Sequence, residues 1–133
     1  QCAYGFLARQ GTVALSAMSV CAQTDFAVIA LSSLTDAPVA ASDSLLLTAV
    51  GRARNTGAQF DGEKMQALGI PPVEIEVIEA EVVLQTACAT LRVIGINAEG
   101  MHTGEIPSQY ENGQLRFTIG RQFCSMYYLL QAE

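Results

Sequence analysis

The sequence predicts an all-β protein, an antiparallel β-sandwich of about eight strands with an immunoglobulin- or fibronectin-like character. Three observations predict it. Short apolar runs rich in β-branched and aromatic residues recur about every 8 to 15 residues. Turn-forming residues separate them. No apolar pattern of helical period and useful length competes anywhere in the chain.

The first strands are expected near Gly5 to Ala8, Thr12 to Val20, Phe26 to Leu34 and Ser44 to Gly51. Asp36-Ala37-Pro38 separates the last two as a stop, because proline lacks the amide that a central ladder needs. From Ala53 to Pro72 the string ARNTGAQFDGEKMQALGIPP shows no sustained period, and its 20 residues read as one long loop ended by Gly69-Ile70-Pro71-Pro72. Loops of more than about 12 to 15 residues in a compact domain tend to be functional, interfacial or disordered, so this is the first place to look for a working surface. A strand follows from Val73 to Gln85. Val73, Ile75 and Val77 share one face against Glu74 and Glu76, and a shift of phase across Ile78 to Leu84 predicts a bulge or bend between two sheets. The remaining strands are expected near Thr90 to Asn97, Gln114 to Gly120 and Met126 to Gln131. Asn112-Gly113 supplies the two positive φ angles of a type I′ turn, so Ser108 to Thr118 reads as a hairpin. In it Leu115, Phe117 and Ile119 face one way and Arg116 and Thr118 the other.

Composition bounds the function. The 133 residues, half of them apolar and 15% charged, carry a formal net charge of −6. A chain of this size buries roughly 65 to 70% of its unfolded surface, enough for one core, so residues 1–133 are expected to form a single domain. An acidic chain without a basic run is a poor partner for nucleic acid. No apolar stretch approaches the roughly 20 residues of a membrane-spanning helix, and no membrane association is expected. The chain opens on Gln1 without a basic-then-apolar leader, which suggests excision or processing from a larger polypeptide, and an extracellular or periplasmic setting is favoured. Cys2, Cys21, Cys88 and Cys124, spaced by 19, 67 and 36 residues, match neither a zinc site nor a CxxC motif and are expected to be buried thiols.

From Ser44 the sequence runs SLLLTAVGRARNTGAQFDG. This resembles the C-terminal β-sandwich domain that follows the (β/α)8 catalytic barrel in many bacterial glycoside hydrolases, where the pattern is close to LLLTAVGRAENTG. FAVIALSSLTDAPVAASDS and PPVEIEVIEAEVVL resemble neighbouring strands of that family, and RVIGINAEGMHTGEIPSQYENGQLRFTIGRQFCSMYYLLQ resembles its closing segment. The likeness runs roughly from Gly5 to Leu130, with AVGRA-x-NTG its most specific part. It departs at Arg54, where the family carries an acidic residue; at Phe60, where a tryptophan is replaced or lost; and at Tyr127, in place of the closing tryptophan. The chain has no tryptophan at all. The resemblance implies a non-catalytic accessory domain that packs against and stabilises a catalytic barrel of the same parent polypeptide, with polysaccharide as a second implied partner.

Residue chemistry adds no catalytic constellation. Glycosidase chemistry needs two carboxyl groups about 5 to 9.5 Å apart in environments that separate their pKa values. Glu74 with Glu76 and Glu79 with Glu81 have the spacing, but read as the solvated face of a strand. His102, the single histidine, lies in the turn-like AEGMHTGE without a nucleophile motif and is expected to be an exposed loop residue. No spacing of metal ligands occurs, and no metal or cofactor is expected. Tyr4, Phe60, Tyr110, Tyr127 and Tyr128 are the aromatics expected near a surface. Phe60 and Tyr110, beside turns, are the candidate carbohydrate-binding residues. Arg52, Arg54 and Asn55 form the corner after an apolar strand. A guanidinium fork there suits a carboxylate of a neighbouring domain, and the alternative is a loop held by its own hydrogen bonds. Two other roles compete with the barrel-packing one: an independent carbohydrate-binding module, and an adhesion sandwich that pairs through an edge strand.

Overall fold

Alternation decides which face each strand buries. In Met18–Ala22 (β3), Ala80–Gln85 (β10) and Gln114–Ile119 (β14) every second residue is buried, and the same holds in Ala27–Ser33 (β4), Ser44–Val50 (β5), Leu91–Ile96 (β11) and Tyr127–Ala132 (β15). The computed structural model describes all 133 residues and gathers these strands into two antiparallel sheets. Six strands run in the order β1 (Cys2–Gly5), β4, β5, β15, β11 and β12 (His102–Ile106). Five run in the order β13 (Ser108–Glu111), β14, β10, β3 and β2 (Thr12–Ala14). The inner faces of the two sheets meet in one continuous core of 23 buried apolar residues, to which residues 50–77 contribute none.

The expected sandwich is present, with more strands than the sequence suggested. Thr12 to Val20 is two strands, because the chain reverses at Leu15, whose amide donates to the Met18 carbonyl at 2.7 Å. The first strand lies earlier than expected, and Leu7–Arg9 is a 3-10 turn. The expected Val73 to Gln85 strand is broken rather than bulged. Glu76 to Glu79 lies outside any strand, and from within it Ile78, followed by Ala80, Val82 and Leu84, keeps an inward phase that Val73 and Ile75 do not share. The segment after Asn97 forms edge strand β12, so His102 is exposed on a strand and not in a loop. The hairpin at Asn112-Gly113 is as expected, with φ of 52° and 77° and Glu111 opposite Gln114.

Two further predicted placements differ. None of the four cysteines is buried: Cys2 and Cys124 are exposed, and Cys21 and Cys88 are half-buried. Cys21 alternates with the inward Val20 and Ala22, so strand period carries it to the outer face. Tyr128, expected near a surface, is fully buried on β15, and its hydroxyl donates to the carbonyls of Phe123 and Ser125 at 3.1 and 3.0 Å. Burial pushes its pKa up to about 12.

Candidate functional site

The chain leaves the six-stranded sheet at Gly51 and enters the five-stranded sheet at Ala80, and between them it makes an arm. The expected loop at Ala53 to Pro72 is instead four strands: Ala53–Thr56 (β6), Gln59–Asp61 (β7), Lys64–Ala67 (β8) and Ile70–Ile75 (β9). β6 pairs with β9 as an inner ribbon, and β7 with β8 as an outer one. The arm closes at its root. Glu76 N–H donates to the Arg52 carbonyl at 2.9 Å, and Arg52 N–H donates to the Glu76 carboxylate at 3.3 Å. A Cβ at Gly51 would stand 2.7 Å from Ile78 Cδ1 and 3.3 Å from the Phe26 carbonyl oxygen, so the crossing at the root is closely packed.

Asp25 on the body ties the root down. Its carboxylate accepts from Arg9 at 2.9 and 3.0 Å and lies 3.7 Å from Arg52. The hydrogen bond from Arg9, with the Arg52 charge adding to it, holds the Asp25 carboxyl below the usual range.

Side chains of the arm then set its turns. Asn55 Nδ2 donates to the Leu68 carbonyl at 3.1 Å, and Thr56 Oγ1 donates to the Pro72 carbonyl at 2.9 Å. Pro71 and Pro72, joined by a cis bond, fall where the register slips from Asn55↔Val73 to Thr56↔Ile70, and a proline without an amide is tolerated at such an irregularity. Asn55 therefore plays the local role, holding the ribbon by hydrogen bonds. Arg52 faces the root.

Arg54 differs from both. It forms no ion pair, and its guanidinium carbon lies 5.6 Å from the centre of the Phe60 ring. Arg52, Arg54, Phe60 and Glu63 line one open groove of about 570 Å³. Tyr110 belongs elsewhere, on edge strand β13, where its hydroxyl donates to the Thr86 carbonyl at 3.2 Å. The two aromatics chosen from sequence thus sit on different sheets and are not presented as one platform.

The sequence reading missed the apolar surface of the arm. Phe60, Met65, Leu68, Ile70, Val73 and Ile75 are all exposed, from 44% at Ile75 to 69% at Ile70. β9 is exposed along its whole length, so the apolar face that alternation assigned to Val73 and Ile75 is present but uncovered. Six large apolar side chains left exposed on one excursion of the chain suit an interaction surface.

Comparison with models of known protein families, with curated proteins and with solved structures finds no match to this chain.

The remaining candidates are dispersed. Glu79 pairs with Arg121 at 2.6 Å, Glu81 lies on the outer face of β10, and Glu74 stands opposite Arg54 on the arm. No three side chains among His, Cys, Asp and Glu gather as a metal site. No helix is long and apolar enough to cross a membrane.

Proposed function

We propose that this chain is a non-catalytic accessory module of a glycoside hydrolase, whose arm packs against the (β/α)8 catalytic barrel and stabilises it. The observation that carries the docking role is the set of exposed apolar side chains on residues 53–75, whose root is held by Arg52 and Asp25. A two-stranded ribbon is marginal in water on its own, and covering its apolar side supplies the missing stabilisation. The assignment of the partner rests on the resemblance of SLLLTAVGRARNTG to the domain that follows such barrels. Arg54 over Phe60 suits the centre of the interface, since guanidinium and aromatic groups dominate binding energy in desolvated pockets.

The test is amide hydrogen exchange over residues 53–75, measured on the isolated chain and on the chain joined to its barrel. Protection gained in the arm on joining supports the proposal, and unchanged exchange there refutes it. Turnover of aryl glycosides by the isolated chain overturns the non-catalytic part.

A further inference from the structure

A second surface lies on the outer face of the five-stranded sheet, built from residues outside the arm. Two grooves of about 600 and 400 Å³ share Glu81, Thr118, Gln122 and Phe123 and so form one trench. Its floor is set by register. Glu81 stands opposite Thr118, Arg116 lies two residues along β14 from Thr118 on the same face, and all three are exposed. Its wall is the 3-10 turn Arg121–Phe123, which brings Gln122 and the half-buried Phe123 alongside the floor.

A polar outer face is what any antiparallel sheet turns to water. Two features set this one apart. The turn gives it a wall, and Glu81 and Gln122 have no side-chain hydrogen bond or ion pair, while Arg121 pairs with Glu79 and Glu105 with Arg92. Glu81 forms no ion pair with the diagonal Arg116, whose one side-chain partner is Gln114 at 2.5 Å.

We infer that this trench binds a neutral oligosaccharide. A carboxylate, a guanidinium, an amide and a hydroxyl together present donors and acceptors at close spacing, which is what vicinal hydroxyls require. Glu81 and Arg116 cancel in charge, so the floor favours neither anionic nor cationic ligands. Phe123 offers an apolar patch to the C–H face of a sugar ring. The lining is mostly polar, unlike the apolar pockets that hold most small ligands, and this selects a hydroxyl-rich one. The trench binds without cleaving. The other two carboxylates of the trench are ion-paired, Glu79 with Arg121 and Glu105 with Arg92, and the hydrogen bond from Arg92 holds Glu105 below the usual carboxyl range, opposite to what a general acid needs. Glycan binding here is independent of arm docking, and it places glycan contact away from both Phe60 and Tyr110.

The experiment is affinity electrophoresis of the intact chain in gels cast with xylan, hydroxyethylcellulose, galactomannan or mixed-linkage glucan, with polygalacturonate as the acidic comparison. Expected is retardation in at least one neutral gel, weakened at least tenfold by Glu81→Ala and by Gln122→Ala and unchanged by Phe60→Ala. Both trench positions are exposed, circular dichroism reports their folding, and either variant alone decides if the other fails to fold. Free migration in all neutral gels overturns the inference. So does retardation by polygalacturonate alone, or binding that survives Glu81→Ala and Gln122→Ala but is lost in Phe60→Ala.

Discussion

The guanidinium of Arg54, on the inner ribbon of the arm, lies over the ring of Phe60 on the outer ribbon, 5.6 Å from its centre. An exposed contact of this kind is worth about 0.5–1 kcal/mol. Phe60→Ala is therefore expected to raise amide exchange over residues 59–67 by about two- to five-fold. The urea midpoint of the whole chain stays in place, because the sandwich core lies elsewhere. Exchange detected by mass spectrometry, beside a urea titration, separates the two effects.

Two apolar residues of similar size make a sharper contrast. Leu47 is fully buried between the sheets, and Leu47→Ala is expected to cost about 2–5 kcal/mol through lost burial and the cavity left behind. Ile70 is 69% exposed on the arm, and Ile70→Ala is expected to change stability by less than about 0.5 kcal/mol. Urea denaturation of both variants checks this, and equal losses would mean that the arm is covered in the isolated chain.

Tyr128 gives the chain an alkaline limit. Its folded pKa of about 12 stands above the ordinary tyrosine value of 10.0, because burial disfavours the phenolate. The protonated form is thus favoured by folding, and this contribution is complete below pH 10 and lost as pH rises through about 12. The loss is on the order of 3 kcal/mol, since each tenfold change in a protonation equilibrium corresponds to about 1.4 kcal/mol. Tyr128→Phe is expected to flatten that decline, while costing about 0.5–1.5 kcal/mol at neutral pH for the hydrogen bonds to Phe123 and Ser125. Stability measured from pH 8 to 12.5 in both forms tests the sign.

On the acid side, Asp25 behaves in the opposite sense. Its folded pKa is depressed, so its contribution is present above the unfolded carboxylate value and fades as pH falls through the lower folded one. Asp25→Asn is expected to weaken that acid dependence and to raise amide exchange at the arm root, where Arg52 loses its carboxylate.

Gly69→Ala tests the joint between the ribbons. Gly69 has φ of +72°, and a Cβ there would lie 2.5 Å from the Thr56 carbonyl oxygen and 2.7 Å from the Ala58 nitrogen. Both neighbours are backbone and cannot yield cheaply. The expected loss exceeds about 1 kcal/mol and stays local, seen as proteolytic cleavage between residues 57 and 70 while near-ultraviolet dichroism of the sandwich is unchanged. An arm as resistant as the wild type would show that the joint tolerates strain.

Legibility from sequence followed the range of the physics involved. The turn at Asn112 and Gly113 was readable because two adjacent residues decide it. The turn between β2 and β3 was not, since Leu15, Ser16 and Ala17 reverse the chain without glycine or proline and their apolar members look like strand. Residues 53–72 read as a loop because strands of a thin ribbon bury no face and leave no period-two signal. Val73 and Ile75 show the converse error. Alternation reports which side chains share a face, not whether anything covers it. The trench was hidden for another reason: Glu81, Arg116 and Gln122 meet only through the pairing of β10 with β14 and the turn that follows.

The root of the arm has an evolutionary consequence. Because the backbones of Arg52 and Glu76 meet there, everything between them is an excursion that returns to its starting point. Lengthening such a detour adds little closure entropy, about 0.6 kcal/mol for each doubling. The sandwich is therefore a chassis with an exchangeable fitting: new partners can be acquired by rewriting one contiguous stretch of sequence, while selection on the remaining strands continues undisturbed.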